Sequence, residues 1–279
     1  MKISICNEIF EGWRMEEVFK FISDIGYEGV EIAPFIISDD VRNINRKKRE
    51  EIENVASSYG LKIVGTHWLL RGPKGLHITH PSENVRKRTE RYLCDLVEFT
   101  SDIGGRIMVF GSPNQRNILK GVSRDEAWRY AEEIFSACSE FAEDYDVIIA
   151  FEPLARSLTN FINTAEEAIR LIENVSHTNF RLNLDVYSML DEGKPLPDII
   201  RASRDYLVHF HANDDNMLGP GFGNVDFKQI IDALKEIGYE NFISVEVFDF
   251  SPGPRRIATI SFETLKRLLS VRNFGKSSR

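Results

Sequence analysis

Short apolar runs that stop abruptly at a polar or acidic residue alternate along this chain with longer segments whose apolar positions recur every third or fourth residue. The first pattern belongs to strands buried on both faces, the second to amphipathic helices. Lys2–Asn7 reads as a strand, and Val18, Phe19, Ile22 and Ile25 make one face of a helix over Met15–Ile25 that Gly26 stops. Strands at Gly29–Ala33 and Leu61–Thr66 flank a polar helix over Arg46–Tyr59, and a long loop over Trp68–Pro81 follows. A helix over Asn84–Ile103, ended by Gly104 and Gly105, leads to a fourth strand over Arg106–Phe110. Ser123 with Glu126, and Thr164 with Glu167, have the capping-box spacing and open helices that run to about Tyr145 and Val175. Further strands end at Glu152, Asp185, His211 and Glu246, with helices over Asp198–Ser203, Phe227–Ile237 and Ile257–Leu269. Eight strands alternating with eight helices imply parallel strands joined by crossover helices, closed into a single-domain α/β fold, the (β/α)8 TIM barrel. That domain is expected over residues 1–270, with 271–279 as a C-terminal tail.

Composition narrows the partners. Asp plus Glu outnumber Lys plus Arg by 43 to 35 in the 279 residues, and a net charge of -8 opposes a polyanion, so no nucleic acid is expected. Cys6, Cys94 and Cys138 are odd in number and far apart, which suits core positions in a cytoplasmic protein better than a disulfide framework. Neither a signal peptide nor a membrane span is legible, and no membrane partner is expected.

The polar ends of the apolar runs carry the chemistry. His209 and His211 lie two apart on one strand and so share a face. Glu152, Asp185 and Glu246 each terminate a strand of their own, and in a TIM barrel all such ends converge on one face. One imidazole and three carboxylates suit a divalent metal, Mn2+, Co2+, Mg2+ or Zn2+. Asn183 shares a face with Asp185 and would orient its neighbours by hydrogen bonds, and His209 is either a donor of the same kind or a satisfied core residue. His67 and Trp68 close the third strand as substrate contacts, with Trp13 and Phe248 as pocket walls. His77 and His80 read as loop surface, and Asp214 and Asp215 as solvated loop acids. The glycine-rich loop Gly219–Gly223 has the composition of a phosphate cradle. No lysine or arginine lies between His211 and Asp226, however, which favours an unphosphorylated substrate.

Phe151–Leu154, Asn160–Thr164, Asn183–Asp185, His209–Ala212, Gly223–Phe227 and Val245–Glu246 together resemble the xylose-isomerase-like barrel superfamily. Within it they are similar to the sugar (phosphate) isomerase/epimerase group typified by D-tagatose 3-epimerase and hydroxypyruvate isomerase. The resemblance covers nearly the whole chain. It implies one divalent metal, usually manganese, on Glu152, Asp185, His211 and Glu246, with Glu152 and Glu246 doubling as the proton-transfer pair. It also implies a sugar or keto-sugar substrate, a metal-stabilised enediolate next to the carbonyl, and a homodimer or homotetramer.

Three positions depart from the group's pattern. After Glu152 the motif keeps Arg156 as a substrate contact but has Leu158 where a second acid is usual. Ser188 takes the place of a substrate-contacting histidine, and Met217 that of an arginine. These exchanges bear on which sugar is bound. Three other readings share the barrel: elimination from a keto-sugar or keto-glycoside, sugar binding without turnover, and an apurinic-site endonuclease. The last is opposed by the acidic charge and by the absence of histidine after Phe110.

Overall fold

The computed structural model describes residues 1–270. The tail expected over 271–279 lies outside the described residues. Eight strands form a closed parallel barrel in chain order. They are β1 (Lys2–Cys6), β2 (Gly29–Ile32), β3 (Lys62–Thr66), β4 (Ile107–Phe110), β5 (Ile148–Phe151), β6 (Phe180–Asp185), β7 (Leu207–Ala212) and β8 (Phe242–Val245). The ring shuts where β1 pairs β8, Ile3 opposite Ile243 and Ile5 opposite Val245.

Outside it lie α1 (Met15–Ile25), α2 (Arg46–Ser58), α3 (Glu83–Asp102), α4 (Arg124–Asp144), α5 (Ala165–Val175), α6 (Val186–Leu190), α7 (Leu196–Ala202), α8 (Phe227–Glu236) and α9 (Pro254–Ser270). Nine helices are thus described where the periodicity gives eight. The additional one, α6, is too short to show a period. It exists because the Asp185 carboxylate accepts from the Ser188 amide at 2.8 Å and caps it. The Ser123–Glu126 capping box forms as the spacing predicts.

Alternation on the strands sorts side chains into two layers. Outward-facing residues build the main core, where Phe135 of α4 packs on Phe110, Phe151 and Phe180 with ring centroids 4.9, 5.4 and 4.8 Å away. The barrel interior is polar, with Ser4 bonded to Ser244, and Glu31, Asn183, His209 and His211 all buried. Register then lines up the mouth: Asp185 pairs with His211, and His211 with Ser244, two positions before Glu246. Among the described residues, no helix is long and apolar enough to cross a membrane. Cys6 and Cys138 are buried, Cys94 is half-buried, and all three are free thiols.

Candidate metal centre and substrate cavity

Glu152 and Glu246 each stand one residue past a strand, and their amides continue the ladder by donating to Phe110 and Ala212 at 3.1 and 3.3 Å. That pairing aims both carboxylates at the barrel axis. One ligand atom each from Glu152, Asp185, His211 and Glu246 lies within 4.8 Å of the others, and all four residues are buried. His211 Nδ1 is 2.9 Å from Glu246 Oε2 and 3.5 Å from Glu152 Oε1, yet none of these three atoms makes an aligned hydrogen bond. Buried polar atoms without partners cost about 1–3 kcal/mol each, so their convergence on one point fits a cation there. Three carboxylate oxygens and one imidazole nitrogen are a donor set for Mn2+, Co2+, Mg2+ or Zn2+.

Crowding of like charge shows in the protonation equilibria. Burial, then the charges of Glu152 and Glu246, push Asp185 up to about 7. Burial also raises the Glu152 carboxyl, against the pull of His211. Burial raises Glu246 too, but His211, His67 and the Trp68 hydrogen bond together hold it below the usual range. His211 in turn is raised well above an ordinary imidazole, against its burial, by Glu246 and Glu31.

Beneath the four ligand-type residues lies a layer that the sequence does not announce. Glu31 accepts from His209 Nε2 at 2.5 Å and from His211 Nε2 at 3.2 Å, and these imidazoles pull its carboxyl well down despite full burial. With its Nε2–H donating to Glu31, His211 would offer its Nδ1 lone pair to a cation held between Glu152 and Glu246. His67 Nε2 bonds Glu8 Oε2 at 2.7 Å. Asp185 Oδ2 accepts from Asn213. Arg116, fully buried, donates to the carbonyls of Gly111, Glu152 and Ile162 at 3.1, 2.6 and 3.2 Å, with its guanidinium over the Phe151 ring. It thereby ties the β4 exit to the end of β5. The available signal for Glu31 was an acid in the middle of an apolar strand, which is tolerated only with a partner.

A cavity of about 400 Å³ opens above the cluster, lined by His67, Trp68, Ser112, Glu152, Glu246 and Phe248 among others. Trp68 adopts a left-handed φ of 52°, and its Nε1 donates to Glu246 Oε1 at 2.8 Å, leaving Oε2 directed at the cluster. Leu158 and Met217, two of the departures, are walls of this cavity. Three expected substrate contacts lie elsewhere. Arg156 turns away and pairs with Asp191 at 2.8 Å, because the Asp191 carboxylate also takes its backbone amide. Trp13 packs against Phe10, Phe21 and Arg255 at a separate surface cleft. Ser188 is buried in α6, where its amide serves Asp185 and its hydroxyl meets no partner. Asn183 is buried beside His209 in the register, with both amide atoms unbonded.

Two loop readings are corrected. Asp214 is buried, and its carboxylate accepts from the amides of Gly221, Gly223 and Val225, so the glycine-rich loop wraps an acid of its own chain, and that negative charge opposes a phosphate there. A Cβ on Gly223 would strike that carboxylate. His77 is also buried, held through Thr89 and Thr79, and burial lowers its pKa to about 4.

A family model for the xylose isomerase-like TIM barrel matches residues 19–268. The D-psicose 3-epimerase of Ruminiclostridium cellulolyticum is 26% identical over 235 residues, 81% of this chain and 76% of that protein. The 3-dehydro-D-guloside 4-epimerase of Escherichia coli is 26% identical over 252 residues, 88% of this chain and 92% of that protein. A solved D-psicose 3-epimerase with D-tagatose, from Clostridium cellulolyticum H10, matches with a TM-score of 0.83 at 21% identity, over 96% of this chain and 98% of that one, and shares the fold.

Proposed function

The chain belongs to the xylose isomerase-like TIM-barrel family, and from that premise we propose that it is a metal-dependent epimerase or isomerase of a ketose or keto-sugar. The observation that carries this reading is the convergence of Glu152, Asp185, His211 and Glu246 under a sugar-sized cavity that Glu152 and Glu246 also line. That its relatives include a ketose 3-epimerase and a 4-epimerase of a dehydro-glycoside supports the same class of proton movement.

A C–H next to a carbonyl is too weakly acidic to ionise at neutral pH unless the developing negative charge is stabilised. A divalent cation held by the four residues supplies positive charge beside the substrate oxygens. The chain's own groups do the rest. One residue, as the carboxylate, takes the proton as the C–H electron pair moves toward the carbonyl, giving an enediolate, and the other, as the carboxylic acid, gives its proton to that enediolate and is left as the carboxylate. Return to the opposite face of the same carbon inverts it, and return to the neighbouring carbon isomerises aldose and ketose. Glu152 and Glu246 stand on strands separated by β6 and β7, so they address the substrate from different sides. Trp68 fixes Glu246 through Oε1, and Gly111 leaves room for Glu152 Oε2, where a Cβ would collide. The apolar walls at Leu154, Leu158 and Phe248 limit water at the reacting carbon.

The test is deuterium uptake. Incubated in D2O with Mn2+ and a panel of ketoses and keto-glycosides, the protein is expected to label at least one of them at the carbon next to the carbonyl. A panel that stays unlabelled while metal and sugar are bound would reduce the protein to a binding barrel.

A further inference from the structure

Resting on this reading of the site as a sugar enzyme, we propose that the substrate carries an anionic group, a carboxylate or a phosphate, at the end remote from its reacting carbon, and that Arg71 binds it. Among the described residues, Arg71 is the only lysine or arginine that lines the cavity above Glu152 and Glu246. Its guanidinium lies over the ring of Phe35 at 4.1 Å and over that of Trp68 at 4.9 Å, and these two rings are themselves 5.8 Å apart. Stacking orients the planar group without using its N–H donors. No described carboxylate pairs with it and no described acceptor takes a hydrogen bond from it.

The other arginines near the mouth are engaged. Arg116 serves three carbonyls, Arg156 serves Asp191, and Arg42 serves Asp40. Arg71 is exposed at the rim of a cavity that also holds two carboxylates, so in a chain of net charge -8 its unpaired guanidinium is open to an anionic group entering from solvent.

Geometry also sets which part of the ligand meets it. The Trp68 indole bridges the two functions, its Nε1 on Glu246 and its ring face under Arg71. A sugar chain with its reacting carbon at Glu246 would therefore lie along the indole with its far end at the guanidinium. An anion nearer the reacting carbon would face Glu152 and Glu246 and be repelled. The loop after β7 carries no lysine or arginine between His211 and Asp226, and its Gly221, Gly223 and Val225 amides already serve the Asp214 carboxylate. The cation missing between His211 and Asp226 thus enters from the loop after β3, which sequence order does not place beside it.

The experiment compares D-fructose, D-fructose 6-phosphate and D-fructuronate as ligands of the Mn2+-loaded protein, read by calorimetry and tryptophan fluorescence. At least one anionic sugar is expected to bind about tenfold or more tightly than D-fructose, as a charge-assisted bidentate contact implies. Arg71→Gln is expected to bring that ratio to about one, and Arg71→Lys to keep part of it. The phosphate and carboxylate arms tell which anion is read. Equal affinity for all three sugars, binding of none, or a preference that survives Arg71→Gln would overturn the proposal. Deuterium uptake in the same samples separates it from the functional reading. Uptake without an anionic preference rejects the Arg71 site and keeps the enzyme, whereas Arg71-dependent binding without uptake keeps the site and rejects the proton transfer.

Discussion

Glu31 is not among the residues lining the cavity above the cluster, yet it determines which nitrogen His211 presents to the cluster, because it accepts from the Nε2 of both His209 and His211. Replacing it by Gln leaves one acceptor and sets an amide N–H2 against the other imidazole, so one of the two rings must turn or lose its proton. Glu31→Gln is therefore expected to weaken Mn2+ binding by about 10–100-fold, the usual effect of removing a carboxylate that orients a ligating histidine. Titration with Mn2+ followed by the electron-spin signal of the free ion checks this, and an unchanged dissociation constant in a folded variant would remove Glu31 from the account. The terminal acids could be read from the sequence because each ends an apolar run. Glu31 could not, since its partners lie 178 and 180 positions away and only barrel closure brings them together. Asp214 escaped for the opposite reason: two adjacent loop acids ordinarily signal solvation, and here one is buried as the hub of its own loop.

At the scale of elements, strand ends and the loops after them set how precisely the carboxylates are aimed. Gly111 follows β4 directly, and a Cβ there would collide with Glu152 Oε2. Its backbone has no positive φ, so alanine suits the conformation and acts through that collision alone. Gly111→Ala is expected to leave the melting temperature within a few degrees of the parent while lowering the rate of deuterium uptake about a hundredfold, the scale that a misplacement near 1 Å produces. Parent-like uptake would show that Glu152 need not hold its present position. Elements also mark where periodicity stops being informative. Every strand and long helix was legible from apolar spacing, but α6 spans only Val186–Leu190 and depends on the Asp185 cap. That short helix takes Ser188 away from the cavity, just as the Asp191 pairing takes Arg156 away.

The whole molecule is a device for gathering residues that the chain keeps far apart. Its closed barrel places β5, β6, β7 and β8 side by side, and four strand ends that look unrelated in the sequence become one cluster with ligand atoms within 4.8 Å. The fold and these four positions were legible because barrel topology obliges strand ends to converge. The cavity wall was less so, since the loops after β3 and β4 supply Arg71, Ser112 and Gln115 through conformations that no repeat or period encodes. What the assembly is held to accomplish is proton transfer from two sides, and it is tested most directly by Glu152→Gln and Glu246→Gln, each metal-loaded, in D2O with each epimer of a labelled substrate offered separately. Both variants are expected to lose net interconversion by about 10²–10⁴-fold. One should still exchange deuterium into one epimer without inverting it, and the other variant should do so only for the opposite epimer. Full interconversion by both variants would contradict the acid–base pair and leave a metal site without the chemistry assigned to it.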